Sequence, residues 1–240
     1  MARVAAQAGR IDEAVGYYHH AIDGAWPANT ADRRIQARLE LIQALGKAGR
    51  RQQAQAELLS IPAVVPGGLS VKRQVAQLSL QHGLAREAAN LFRDLIERDP
   101  QDQPAWAGLG EAEYDLADYP AARDALAGAL RLNPNDTAAR KRLDAATQIM
   151  SLDPMRRGLG AAERYRRSQA VLTAVLDVLE PCSGLKGQMA SARKLLVKGA
   201  AVDNITSVAE QLWTAGAKAC SSMPPADAPL SRIMARLMAR

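Results

Sequence analysis

The sequence is poor in the residues that metal sites and catalytic centres most often use. Its 240 residues include three histidines and two cysteines. Neither cysteine has a second cysteine or a histidine at metal-ligand spacing, and the adjacent His19 and His20 face different sides of one predicted helix. No Gly-x-Ser-x-Gly motif occurs, and no histidine lies where a catalytic triad would need it. The sequence therefore predicts no enzyme, no metal and no cofactor.

Long apolar runs are also missing. The longest, residues 170–179, is interrupted by Asp177 and is shorter than the roughly 20 residues that a membrane-spanning helix needs. Charged and polar side chains break up residues 1–15, so no signal-peptide core is visible there. The chain as it stands is therefore expected to be cytoplasmic and to have no membrane span.

Aromatic residues make up only 4% of the chain, with a single phenylalanine, while alanine, leucine, arginine and glutamine dominate. These abundant residues lose little side-chain freedom in a helix, and strand-forming residues are scarce. The formal charge of +6 is uneven, because residues 155–240 contain 13 basic against 6 acidic side chains. The composition predicts an all-α protein with a basic C-terminal part.

The chain is similar to itself at a spacing of 34 residues, which is typical of a helical repeat. Five positions keep their character through three copies: Gly49/Gly83/Ala117, Ala54/Ala88/Ala122, Leu58/Phe92/Leu126, Ile61/Leu95/Ala129 and Pro66/Pro100/Pro134. In the third copy, helices are expected over 105–116 and 121–132, with a turn at 117–120 and a stop at Asn133-Pro134. Because the connector is short, the two helices should be antiparallel.

Small residues should let these helices approach closely. The small positions are Ala76 and Gly110 in the first helices and Ala88 and Ala122 in the second. Large neighbours such as Trp106, Leu109, Phe92 and Leu126 should then fill the remaining space, so that small packs against large.

The third copy resembles the tetratricopeptide repeat family. The resemblance rests on the order and spacing of Trp106, Leu109, Gly110, Ala122, Leu126, Ala129 and Pro134. It departs from the family pattern at Glu113, where an aromatic residue is usual. The resemblance implies an all-α solenoid of antiparallel helix pairs, followed here by a small C-terminal helical bundle.

The repeat phase divides the chain into units. Residues 1–154 are expected to form the solenoid, with units at about 1–28, 35–68, 69–102 and 103–136 and a capping helix at 137–150. Six extra residues around positions 26–30 displace the first unit. Its first helix is cut short at Met1, which predicts an internal start or the edge of a longer repeat array.

The resemblance also implies a concave groove, lined by the first helix of each unit, that binds a peptide or helix of another protein. Tyr114 and Leu80 are the expected anchors, and Arg73 and Lys47 the expected charge contacts. The alternatives are a merely solvated face, or a groove filled by the protein's own C-terminal helices. The residues at the groove positions are Leu39, Gln43, Lys47, Arg73, Gln77, Leu80, Ala107, Glu111, Tyr114, Asp115, Lys141 and Gln148.

The C-terminal segment, residues 155–240, shows no repeat but predicts helices over 161–179, 186–198 and 204–218 and an amphipathic tail at 230–238. Cys182 and Cys220 follow the first and third of these helices, so in an up-down-up bundle they lie at the same end. They form either a disulfide or two free thiols. A disulfide would indicate an oxidising space such as a periplasm, with the export signal in a missing upstream region.

A basic cluster marks the start of this segment. Its five arginines have only Tyr165 nearby for base stacking and no nucleic-acid-binding motif around them. The expected contact is therefore an acidic protein, or the acidic end of the protein's own solenoid, rather than nucleic acid. Two other functions stay open: a helical accessory region of a larger enzyme or envelope-associated assembly protein, and an arginine-rich nucleic-acid binder. The cluster consists of Arg156, Arg157, Arg164, Arg166 and Arg167.

Overall fold

The computed structural model describes residues 1–24, 30–62, 65, 68–197, 200–221 and 223–239. In these ranges the chain forms thirteen α-helices and one short 3-10 helix, and no strand is present in them. The predicted all-α fold is confirmed. Three predicted features lie outside the described residues: most of the extra residues around 26–30, the stop at Pro66, and the end of a helix at Lys198.

The helices of the first part of the chain are α1 Ala2–Gln7, α2 Ile11–Asp23, α3 Thr30–Lys47, α4 Arg51–Leu59, α5 Gly68–Gln81, α6 Ala85–Arg98, α7 Gln103–Asp115 and α8 Tyr119–Leu132. They are followed by α9 Thr137–Leu152, α10 Ala161–Leu179, the 3-10 helix Ser183–Leu185, α11 Lys186–Val197, α12 Val202–Ala219 and α13 Pro229–Met238. Within the described part of the chain, no helix is both long and apolar enough to cross a membrane.

The chain divides into two compact units, Met1–Arg140 and Lys141–Arg240. In the first unit each helix packs on the next, and the first helices of successive pairs also meet, α3 with α5 and α5 with α7. The predicted solenoid boundary at residue 154 stays a prediction, since α9 runs across the division between the units.

One type of turn joins the two helices of each pair in the first unit. The residue two positions past each first helix adopts a positive φ: 75° at Gly9, 72° at Gly49, 80° at Gly83 and 61° at Ala117. Glycine suits this conformation because it has no Cβ to clash. A backbone hydrogen bond of 2.8–2.9 Å closes each turn, from Arg10 to Ala5, Arg50 to Leu45, Leu84 to Ser79 and Asp118 to Glu113. The glycine or alanine that recurs in the sequence thus marks a turn that ends the first helix of each pair.

The second helix of the third copy begins earlier than predicted. It starts at Tyr119, and Pro120 lies in its first turn rather than in the connecting turn. Proline is tolerated there because the first backbone N–H groups of a helix have no intrahelical partner. The Asp118 side chain accepts a hydrogen bond from the Ala121 N–H at 3.1 Å and so caps the helix.

Glycines form the close contacts between helices in the first unit, as expected for Gly110. A Cβ on Gly110 would lie 2.4 Å from Leu126 Cγ, and one on Gly108 would lie 2.3 Å from the Phe92 ring. Gly128 meets the Trp106 ring in the same way, at 2.6 Å. Such distances leave no room for a methyl group, so the helix spacing depends on these glycines.

Glu113, the departure from the repeat pattern, is buried and forms an ion pair with Arg93 of the preceding helix α6. A buried carboxylate needs a partner to offset its lost hydration. Arg93 supplies that partner here, at a position where the family usually places an aromatic side chain.

The second unit has a core of apolar side chains from α10, α12 and α13, including Leu172, Ile205 and Met234, all of them buried. Cys182 and Cys220 are joined by a disulfide, with their Cα atoms 5.8 Å apart. Arg167 binds Glu163 at 2.6 Å and the Met150 carbonyl at 2.7 Å, which ties α10 to the end of α9.

Candidate partner-binding groove

The candidate site is the solvent-exposed side of α3, α5 and α7, each the first helix of its pair, and we call this surface the groove face. Because these helices are neighbours spaced by the repeat, side chains 34 residues apart occupy equivalent positions on it. Two rows of such side chains are exposed or half-buried: Gln43, Gln77 and Glu111, and Lys47, Gln81 and Asp115. Sequence reasoning named all of these except Gln81, which the same 34-residue spacing could have found.

A cavity of about 710 Å³ opens at the α3 end of the groove face, between α1 and α3. It contains two of the predicted groove residues, Gln43 and Lys47. Most of its lining surface is apolar, and the rest comes from amide, hydroxyl and charged side chains. The lining residues are Arg3, Ala6, Gln7, Gly9, Ile11, Tyr18, Glu40, Gln43, Ala44, Lys47 and Ala48.

An ion pair crosses this cavity. Arg3 binds the Glu40 carboxylate through Nε at 2.8 Å and through Nη2 at 2.5 Å, and the Tyr18 hydroxyl donates to Glu40 at 3.4 Å. The hydrogen bond from Arg3 lowers the pKa of Glu40, and burial, with the nearby Glu40 charge, raises the pKa of Tyr18. Arg3 and Glu40 thus neutralise each other.

Lys47 is the second cation of the cavity. It is exposed, and within the described residues it has no acidic partner. Because the charges of Arg3 and Glu40 offset each other, Lys47 gives the cavity one uncompensated positive charge. An acidic group on a bound segment would be the complementary contact.

Two predicted groove residues belong to the core instead. Leu39 is 1% exposed and Tyr114 is fully buried, with its ring edge-on to Tyr119 at a centroid distance of 5.4 Å. The prediction that Tyr114 anchors a partner is therefore wrong. The register of a repeat assigns a residue to a helix position, but the next helix, here α8 with Tyr119, decides whether that position is covered.

Arg73 is also occupied within the fold. Its Nε and Nη2 bind Asp102 Oδ2 at 3.0 and 2.5 Å, and Asp102 Oδ1 accepts a hydrogen bond from the Ala105 N–H at 3.0 Å. Asp102 is 5% exposed and caps α7. Arg73 therefore joins α5 to the start of α7, and the predicted contact between Arg73 and a partner is not retained.

The remaining predicted groove residues are either half-buried or lie in the second unit. Leu80 and Ala107 are half-buried in the first unit, and Lys141 and Gln148 are exposed on the part of α9 that belongs to the second unit. The site built from the first unit alone contains Gln43, Lys47, Gln77, Gln81, Glu111 and Asp115.

The basic cluster of the second unit is partly neutralised from within. Glu163 binds both Arg166, at 2.7 Å, and Arg167, at 2.6 Å, and hydrogen bonds from Arg167 and then Arg166 lower the pKa of the Glu163 carboxyl. Arg156, Arg157 and Arg164 stay exposed on the surface. The five arginines therefore do not act as one cationic patch.

No group of three or more histidine, cysteine, aspartate or glutamate side chains in the described ranges is placed to hold a metal ion. His82 is buried against Gly46, and its carbonyl accepts hydrogen bonds from Arg51 at 3.1 Å and Gln55 at 2.7 Å. Burial, together with the Arg51 charge, lowers the pKa of His82. His82 acts in packing at the junction of α3, α4 and α5.

This chain is similar to a known protein family and to known individual proteins. Residues 79–152 match the tetratricopeptide repeat family. A relative from Komagataeibacter xylinus, the "Cellulose synthase 2 operon protein C", is 30% identical over 131 residues, which are 55% of this chain and 10% of that protein. The chain thus spans about a tenth of the length of this relative.

A solved structure shares the fold. The crystal structure of a tetratricopeptide repeat protein from Parabacteroides merdae ATCC 43184 superposes with a TM-score of 0.52 at 16% identity, covering 99% of this chain and 96% of that one. At this identity the likeness concerns the fold alone. Together with the family match, it confirms the predicted resemblance and the helical solenoid.

Proposed function

We propose that this protein is a non-catalytic scaffold that holds a segment of another protein on its groove face. The proposal is supported by the match of residues 79–152 to the tetratricopeptide repeat family. Repeats of this kind commonly serve protein–protein interaction. The observation that supports the proposal most is the cavity of about 710 Å³ beside α3, with exposed Gln43 and Lys47 at its edge.

The shape of the site favours a segment over a small molecule. On the neighbouring helix α5, the amides of Gln77 and Gln81 are exposed, and a row of hydrogen-bonding side chains suits an extended strand or one face of a helix. The apolar part of the cavity lining, which includes Ile11 and Ala44, would receive one apolar side chain of the partner. Lys47 would then contact an acidic residue beside that side chain.

The experiment is affinity capture with the full chain, identification of the captured protein, and titration of its binding segment by calorimetry. We expect Lys47→Glu to weaken binding by about tenfold, because it turns an attractive contact into a repulsive one. The matched control is Arg86→Glu on the second helix α6, where the side chain is exposed and outside the groove face. Equal affinities for both variants would refute the groove assignment.

A second candidate function comes from the relative in Komagataeibacter xylinus, which by its name belongs to a cellulose synthase operon. On this view the chain is a scaffold region of a longer accessory protein in a polysaccharide synthase assembly. Recovery of a synthase subunit by the capture experiment would favour this role, and recovery of unrelated partners alone would count against it.

The disulfide is relevant to the cellular compartment in which the scaffold acts. A Cys182–Cys220 bond persists in an oxidising compartment and is rare in the cytosol, so we extend the proposal to an exported location such as a periplasm. Thiol labelling of the protein in freshly broken cells tests this point. Two labelled cysteines would place the working protein in a reducing compartment.

A further inference from the structure

We propose that the second unit has a docking surface of its own, a groove between α11 and α12 that binds an acidic amphipathic helix of another protein. We call it the α11–α12 groove. It is lined by side chains from residues 188–195 of α11 and residues 208–215 of α12. It lies in a different unit from the groove face, so the inference goes beyond the proposed function and does not depend on it.

The disulfide places the two walls of this groove side by side. Cys182 comes shortly before α11 and Cys220 directly after α12, and their Cα atoms are 5.8 Å apart. The beginning of α11 therefore lies near the end of α12. Since α11 and α12 also pack on each other, they run antiparallel. The covalent link fixes the spacing of the walls at this end, so a partner would meet a groove that is already formed.

The groove is on the side of α12 that faces away from α10. A Cβ on Gly216 of α12 would lie 2.4 Å from Leu179 Cδ2, so α10 covers the opposite side of α12 closely. The groove itself has a volume of about 640 Å³, and in the described part of the chain only α11 and α12 line it. This side of the helix pair is therefore available to a further element.

The lining of the groove suits the apolar face of a helix. Leu212 is buried in it, whereas Leu195 and Val208 are half-buried and would leave water if another apolar side chain covered them. Each wall is eight residues long, about 12 Å, which is about two helical turns. An extended segment would place its backbone N–H and C=O groups against these apolar side chains, while a helix satisfies its own backbone. A helix is therefore the better occupant.

The charges near the groove select an acidic helix. Lys194 precedes the lining residue Leu195, and Lys218 follows Ala215 by one turn. Both lysines are exposed, and neither has an acidic partner among the described residues. Asp203, in the first turn of α12, does not line the groove. The surroundings stay positive, in a segment with 13 basic and 6 acidic side chains over residues 155–240.

Two other occupants fit the groove less well. A second copy of this chain, docked groove to groove, would bring the lysines of both copies together, which is repulsive. A membrane with anionic lipids is attracted by lysines, but its surface is flat, and the apolar side chains of a concave groove would stay out of contact with it. Both are outcomes that the experiment below can reveal.

The test is a phage-displayed library of helix-forming peptides of about 18 residues, with apolar residues at helical spacing. The positions beside the apolar face vary freely among glutamate, lysine and serine. The target is the full chain with its disulfide intact, and selected peptides are synthesised and titrated by calorimetry. We expect enriched peptides to contain glutamate beside the apolar face. Exchanging these glutamates for lysine should weaken binding at least about tenfold.

A variant that fills the groove shows where the peptides bind. Ser191 is exposed and lines the groove, so Ser191→Trp should occupy it without disturbing the core and should weaken binding at least about tenfold. The matched control is Ser207→Trp on α12, at an exposed serine that does not line the groove. Equal effects of the two variants, or no effect of Ser191→Trp, would overturn the assignment.

A charge reversal tests the acidic character of the partner independently. Lys194→Glu with Lys218→Glu should change the selected residue beside the apolar face from glutamate to lysine. The matched control, Arg156→Glu with Arg157→Glu, alters the net charge equally at two exposed positions outside the groove and should keep the preference for glutamate. An equal change in both double variants would mean that the charge of the whole unit selects the peptides, and it would contradict the proposal.

The remaining outcomes identify other occupants. Vesicles of phosphatidylcholine and phosphatidylserine that bind the wild type but not the Lys194→Glu, Lys218→Glu variant, with no peptide selected, would assign the surface to a membrane instead. A dimer in sedimentation that Ser191→Trp disrupts would assign it to a second copy of the chain. Lys47→Glu, on the groove face, should leave peptide binding to the α11–α12 groove unchanged, which keeps this inference separate from the proposed function.

Discussion

The first unit repeats one helix-ending turn four times, at Gly9, Gly49, Gly83 and Ala117, whereas the second unit joins residues 38 positions apart by a disulfide. In the first unit, many equivalent local contacts each contribute a little, as in other repeat proteins. In the second, one covalent link closes a long loop. The same chain therefore combines distributed stabilisation with concentrated stabilisation, and substitutions should affect the two units differently.

The largest expected effect is on the second unit. Replacing Cys182 and Cys220 by serine should lower its free energy of unfolding by about 4 kcal/mol, because the unfolded chain regains the freedom of the open loop. Hydrogen exchange measured on both units should show faster exchange in α10 and α12 and unchanged protection in α6 and α7. The reduced wild-type protein is the control and should behave like the double variant. Equal loss of protection in both units would contradict this division of stability.

Within the first unit, Gly110→Ala should have the largest effect of the substitutions considered. The added Cβ would lie 2.4 Å from Leu126 Cγ, so the helices must shift, which costs about 1–3 kcal/mol. The same substitution at Gly16 of α2 is the control, since a Cβ there meets nothing within 4 Å. Gly16→Ala should leave stability unchanged or raise it by about 0.5–1 kcal/mol through helix propensity. Chemical denaturation distinguishes the two variants, and an equal effect would refute the packing argument.

Substitutions at the repeated turn should change the free energy of unfolding by a smaller amount, and two of them should do so in opposite directions. Ala117 holds a φ of 61° that glycine adopts more readily, so Ala117→Gly should raise the free energy of unfolding by about 1 kcal/mol. At the equivalent Gly49, with a φ of 72° and nothing within 4 Å of an added Cβ, Gly49→Ala should lower it by a similar amount. Matching shifts of opposite sign in thermal denaturation would support equivalence of the turns. Shifts of the same sign would show that the two turns are not equivalent.

The smallest effect concerns pH. Because the pKa of His82 is lowered in the folded state, the unfolded chain takes up this proton first as the pH falls. The contribution of His82 to stability is complete above its unfolded pKa of about 6.5 and is lost as the pH falls from there through the folded value. His82→Gln should therefore flatten the loss of stability between pH 7.5 and about 5. His20→Gln, at an exposed histidine of α2, is the control, and an unchanged slope in His82→Gln would contradict the assignment.

The repeated part of the fold could be predicted because the same sequence pattern occurs in several copies along the chain. Gly49 and Gly83 share a phase, and their turns are the same motif in the structure. The small-against-large contact at Gly110 was likewise visible from spacing. Where the sequence is not repeated, helix positions could be predicted from composition, while contacts such as that of Arg167 with the Met150 carbonyl could not.

The candidate site was predicted only in part. Gln43 and Lys47 are exposed beside the cavity, but Tyr114 is covered by Tyr119 and Arg73 is bound to Asp102, 29 residues away. Repeat register determines which helix position a residue occupies. It does not determine what a neighbouring helix places over that residue, and for this reason the errors fell on an aromatic and an arginine that have partners elsewhere in the fold.

The central claim is that another protein is held on the groove face, and site-specific photo-crosslinking in cells tests it most directly. A photoreactive amino acid is placed at Gln43 or Gln77 on the groove face, and at Arg86 on α6 as the control; all three positions are exposed. The account predicts crosslinks to the same protein from Gln43 and Gln77 and none from Arg86. Crosslinks from Arg86 alone, or equal crosslinks from all three positions, would contradict it.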